Sequence, residues 1–134
     1  MSPVESDRAA LHPELTPARR ELLLRRGVEL FNAGRFFDAH EPWEEIWRSR
    51  SPEPRHFFKG LVQVAAGLHI WHERGRAAPA ARVLRRGMQR LEPFRPAALG
   101  IDVEALLEAL EPWLRGLEAH GRPPTSIPRI EPAP

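Results

Sequence analysis

The residues best suited by type to carry chemistry lie between Phe36 and Arg48. On a helical wheel Phe36, Ala39, Trp43, Ile46 and Trp47 share one face, His40 sits at its edge, and Glu44 follows one turn on. Asp38, Glu41 and Glu45 point further toward solvent. His40 and Glu44 are four apart, as are Glu44 and Arg48, a spacing at which side chains on one helix touch. A histidine among carboxylates is material for acid/base work or for metal binding, and each needs more than this. A zinc protease needs a second histidine four residues after the first, but His40-Glu41-Pro42-Trp43 is followed by Glu44. A di-iron bundle needs two Glu-x-x-His pairs, and the chain offers only Glu53-Pro54-Arg55-His56. A looser metal set, His40 and Glu44 with His69 or His72 from a later helix, stays open as the basis of a metal-assisted hydrolase. The competing reading makes His40 a partly buried histidine oriented by Glu44 or Gln63, with His69 and His72 on the helix surface.

The nucleophile is missing. The chain has no cysteine, which also excludes a disulfide framework and a thiolate metal site. Ser2, Ser6, Ser49, Ser51 and Ser126 fall in tails or at a helix junction, and no glycine-rich phosphate loop exists. Cysteine nucleophilic catalysis is excluded, covalent catalysis of other kinds is disfavoured, and no cofactor is implied. Whether the chain is an enzyme is left open. Arg82, Arg85, Arg86 and Arg90 form the one basic stripe, faced by an acidic stretch that includes Asp102, Glu104, Glu108, Glu111 and Glu118. Two such helices steer each other's packing or a subunit contact. Phosphate contact through the arginines is the alternative, disfavoured because no aromatic or amide side chains are interleaved to read bases.

Helices must position these residues. Apolar positions recur at three- and four-residue steps in every segment, and no stretch alternates like a strand. The expected fold is all-α: one bundle of about five helices over residues 16–120, between a flexible tail at 1–15 and a proline-rich tail at 121–134. Thr16-Pro17 starts helix 1, in which Gly27 is a weak point, and Gly34 stops it. Helix 2 starts at Phe36, and Pro42 should delay or kink it. Helix 3 starts at Ser51-Pro52 and ends before Gly75. Helix 4 runs from Ala77 to about Glu92, and Asp102 caps helix 5, which Pro112 should bend or break. Ile127 and Ile130 can pin the last segment along a groove.

Helix 3 is apolar almost all round from Phe57 to Leu68 and should be the buried centre. Gly60 and Gly67 would admit a second helix at close range. Lys59 and Gln63 lie on another stripe of helix 3 and need partners, since an unsatisfied buried polar group costs about 1–3 kcal/mol. The binding cluster expected from these facts is His40, Glu41, Glu44, Lys59 and Gln63, with His40 meeting Gln63 between helices 2 and 3. Gly34-Arg35 with Ala39 echoes Gly75-Arg76 with Ala80, 41 residues later, but the 34-residue period of a tetratricopeptide array is absent.

Composition narrows the class. The chain has 134 residues, 42% hydrophobic and 28% charged, as one soluble domain does. Its pI near 10.3 accompanies a net charge of only +2, because 19 of its 20 basic residues are arginine and it lacks tyrosine and cysteine. The pI reports missing buffering groups, not a basic surface. The most apolar stretch, Leu61 to Trp71, is too short to span a membrane, and the first fifteen residues do not read as a secretory signal. A cytoplasmic protein is expected.

The segment Phe31-Asn32-Ala33-Gly34-Arg35-Phe36-Phe37-Asp38-Ala39-His40-Glu41, then Glu44-Glu45-Ile46-Trp47-Arg48, closely resembles the domain-of-unknown-function 309 family. So do Phe58-Lys59-Gly60-Leu61-Val62-Gln63-Val64-Ala65-Ala66-Gly67 and Gly100-Ile101-Asp102. Pro42 replaces an aliphatic residue of that pattern, and Gly75-Arg76 replaces its Gly-Asn. The resemblance implies a small helical bundle and no assigned reaction. The reading that follows is a binding or assembly module, forming a homo-oligomer, with its small-molecule ligand unidentified.

Overall fold

The computed structural model describes residues 14–50 and 52–134. Most of the expected tail at 1–15 therefore lies outside the described residues, as does Ser51. Among the described residues there are five α-helices, α1 (Pro17–Asn32), α2 (Phe36–Trp47), α3 (Arg55–Arg74), α4 (Ala77–Leu91) and α5 (Val103–His120). A single 3-10 turn (Glu92–Phe94) and a two-stranded hairpin, β1 (Ala97–Ala98) and β2 (Ile101–Asp102), precede α5. The all-α reading holds. None of these helices is long and apolar enough to cross a membrane.

Local chemistry sets the boundaries. The Thr16 hydroxyl accepts from the Arg19 amide at 3.1 Å, and the Asp102 carboxylate accepts from the Ala105 amide at 2.9 Å, each capping its helix as expected. Gly34 (φ 80°) and Gly75 (φ 62°) turn the chain through the left-handed region, and Ala39 and Ala80 beyond them are fully buried. Each junction thus turns on one left-handed glycine. One boundary expectation is corrected: α3 begins at Arg55 with Pro54 as its cap, not at Ser51-Pro52. α2 starts at Phe36 and continues through Pro42, and α5 continues through Pro112, so neither the late start nor the break occurs. The hairpin was not expected: its strands are too short to alternate, and its turn needs positive φ at Leu99 (52°) and Gly100 (79°).

Each helix packs against its neighbours in sequence, most extensively α3 against α4. α3 is the core helix: Phe57, Phe58, Gly60, Leu61, Val62, Val64, Ala65, Gly67 and Leu68 are all buried. α2 covers one side of it and α4 the other. Oppositely charged side chains tie α5 in place, with Arg85 to Glu118 at 2.6 Å and Arg95 to Glu104 at 2.6 Å. These hydrogen bonds raise both guanidinium pKa values above the ordinary one.

The proline-rich segment after Gly121 is fastened down. Ile130 is buried while Ile127 is exposed, so one of the two expected pins is used. The Asn32 amide donates to the Ile130 carbonyl at 2.9 Å, and its oxygen accepts from the Ile130 amide at 2.8 Å. Asp102 donates its amide to Glu131, and Ala133 to Gly100, extending the hairpin by a strap. Trp113 Nε1 donates to the Ser126 carbonyl at 2.7 Å. The strap therefore joins α1 to α5. Asn32→Ala is expected to lower stability by about 1–3 kcal/mol, because two part-buried backbone groups lose their partner. Faster amide exchange at Ile130 should accompany the loss; unchanged exchange there would refute the clamp.

Candidate functional site

α2 holds the polar set at an angle fixed by its buried face, Phe36, Ala39, Trp43 and Ile46. With that stripe buried, the 100° step per residue places His40 and Glu44 at the margin and Glu41 and Glu45 outward. Glu44 is gripped from both sides. Its Oε2 lies 3.4 Å from His40 Nε2, and its Oε1 accepts from Arg48 Nη2 at 2.7 Å. The other imidazole nitrogen, Nδ1, donates to the Phe37 carbonyl. The whole ring is therefore oriented by α2 alone. Glu45 pairs with Arg19 of α1 at 3.3 Å. Glu41 is exposed and has no ion-pair partner among the described residues.

These side chains line an open groove of about 560 Å³ together with Leu15 and Ser49. Three glutamates line it with one arginine and one histidine; Glu44 is paired with Arg48 and Glu45 with Arg19, which leaves the charge of Glu41 uncompensated. The buried Ser49 hydroxyl is spent on the Ile46 carbonyl at 2.7 Å, and so it adds no free donor.

The other expected members lie elsewhere. Phe37 packs on His69 with ring centroids 5.0 Å apart, and Lys59 Nζ lies 4.5 Å from the centre of the Trp47 ring. Both pairs obey one antiparallel register of α2 on α3, which puts Gln63 level with Trp43 and His40 level with Ala66. The two helices touch as expected, yet no hydrogen bond joins His40 to Gln63. The Gln63 Oε1 atom is buried without a hydrogen-bond partner, and Lys59 is occupied by the Trp47 face, which Arg55 also approaches at 5.5 Å. The five residues are thus split between a groove on α2 and the α2–α3 interface.

The alternative metal set is not assembled either. The Phe37 ring packs on both imidazoles, 4.8 Å from His40 and 5.0 Å from His69. His72 is turned to Phe36, at 6.3 Å. Among the described residues no group of three or more His, Asp or Glu side chains is gathered closely enough to hold a metal ion. Glu53 is committed to the Arg55 amide, and His56 accepts from Arg90. Phe37 stands just off the apolar wheel face, and only its contact with both imidazoles reveals its place.

The fold is that of a small helical bundle with a groove on α2 lined by Glu41, Glu44 and Glu45. Residues 24–83 match the family model described as Domain of unknown function (DUF309). An "Uncharacterized protein" of Aquifex aeolicus (strain VF5) is 29% identical over 108 residues, covering 80% of this chain and 32% of the relative. The "Uncharacterized protein YpuF" of Bacillus subtilis (strain 168) is 33% identical over 87 residues, covering 63% of this chain and 49% of the relative. The chain thus spans about a third and about half of the length of these curated relatives. None of these descriptions states an activity, and no solved structure matches.

Proposed function

We propose that the protein is a non-catalytic binding module that receives a positively charged group of a partner in the α2 groove. The carrying observation is the lining of that groove, where Glu41, Glu44 and Glu45 outnumber Arg48. Glu44, held by His40 and Arg48, is set in position before any partner arrives, which lowers the ordering cost of binding. Glu41 supplies the uncompensated charge. Lys59 on Trp47 and the half-buried Gln63 serve the register of α2 on α3 and so keep the groove in shape. Similarity to parts of longer chains supports the modular reading. A cytoplasmic location, consistent with a charged, cysteine-free chain, and self-assembly through the half-exposed Phe37 belong to the same proposal. Light scattering that returned a monomer mass would remove the self-assembly.

A tetra-arginine peptide is the probe. Its binding, followed by calorimetry, should weaken with added salt and fall about tenfold in Glu41→Gln/Glu44→Gln. Equal binding by that variant would sink the reading. His40→Ala should change stability by less than about 1 kcal/mol, since its only charged partner is a surface neighbour on the same helix.

A further inference from the structure

We propose that a second site, where the start of α3 meets the end of α4, binds a phosphate carried on a flat apolar body. A cavity of about 440 Å³ opens there, lined by His56, Arg86, Gln89, Arg90, Pro93 and Phe94. Its size is that of a small-molecule pocket.

The donors around it are unspent. Within the basic stripe of α4, Arg85 is neutralised by Glu118, and the nearby Arg95 is taken by Glu92 and Glu104. Arg86 and Arg90 have no carboxylate partner among the described residues, although they are one turn apart on the same helix. Arg90 Nη1 instead lies 2.7 Å from His56 Nδ1. A guanidinium can only donate, so His56 Nδ1 accepts and its proton sits on Nε2, free to donate to a ligand. Gln89 adds an amide. The cationic and polar donors thus come from two helices, an arrangement that suits the several oxygens of a phosphate better than the single plane of a carboxylate.

The rest of the lining, Pro93 and Phe94, is apolar. The Phe94 ring is held edge-on against the buried Phe57 at 5.2 Å, so it is a fixed surface for a planar group. Pro93 continues that surface. An inorganic ion would leave this half of the cavity unfilled.

Titration of the full chain with phenyl phosphate, read by calorimetry and by amide shifts at His56 and Gln89, tests the site. Binding should weaken about tenfold in Arg86→Ala and again in Arg90→Ala, the loss expected for one charge-assisted contact. Phe94→Ala should weaken phenyl phosphate while leaving inorganic phosphate unchanged, and Arg85→Ala should change neither. Far-UV circular dichroism verifies that each variant is folded, and Arg86 is exposed, so its removal leaves the core intact. Three results would overturn the proposal: no binding of phenyl phosphate, inorganic phosphate binding as tightly, or affinity indifferent to Arg86 and Arg90. A DNA oligonucleotide that binds more tightly with a slope of several counterions would also overturn it, by assigning the arginines to a polymer.

Discussion

Trp43→Ala is expected to destabilise the protein by about 3–5 kcal/mol, the range for deleting a buried large aromatic. Trp43 is fully buried and is the largest of the fully buried side chains. Its indole fills the notch left by Gly27 on α1, and its Nε1 donates to the Leu24 carbonyl at 3.2 Å. Phe31 lies 6.1 Å away on the same side. Gly27 therefore marks a seat and not a weak point of the helix: a Cβ added there would lie inside the indole. The arrangement makes a second, sharper expectation. In the native background Gly27→Ala should cost about 1–3 kcal/mol through overpacking. With Trp43→Ala already present the same change should stabilise by about 1 kcal/mol, the ordinary helical preference for alanine. Urea unfolding of the four proteins measures this reversal of sign as a coupling energy. A neutral Gly27→Ala in the native background would show that the ring does not occupy the notch.

That glycine illustrates what the sequence discloses. Thr16, Asp102, Gly34 and Gly75 were legible because a cap or a left-handed stop is written within four residues of where it acts. Gly27 sits on the buried face of its own helix, but the object it accommodates belongs to another. Gly87 drew no notice for the same reason. The hairpin and the strap have two-residue pairings, too short for any period to register, and Asn32 meets Ile130 across 98 positions. The candidate site divides along the same line. His40, Glu44 and Arg48 are a run of four-residue steps on one helix, and their contacts follow from that spacing. Lys59 and Gln63 share a stripe on α3, but what each meets depends on the rotation of α2. The buried Trp43 and Ile46 set that rotation, and it offers Lys59 the Trp47 face instead of the imidazole. Phe37 packs on both His40 and His69, a contact that no spacing rule discloses.

The crossing of α3 and α4 carries the other large effect. Gly87→Ala is expected to cost about 3 kcal/mol, and Gly67→Ala about as much, although each gains about 1 kcal/mol of helix propensity. A Cβ at Gly87 would lie 2.7 Å from the Val64 amide nitrogen and 2.9 Å from the Gly60 carbonyl oxygen. At Gly67 it would lie 2.8 Å from the Leu84 amide nitrogen. Both collisions are with helix backbone, so relief requires the two rods to separate. Separation would strip contacts from Leu61, Leu68, Leu84 and Leu91, all essentially buried. Gly60 differs in kind. Its added Cβ would first meet Leu91 Cδ2 at 2.9 Å, the end of a side chain that can turn aside. Gly60→Ala should therefore cost well under half as much as the other two. Thermal unfolding of the three variants tests the order. Equal losses at all three positions would mean that side chains, and not touching backbones, set the distance between these helices.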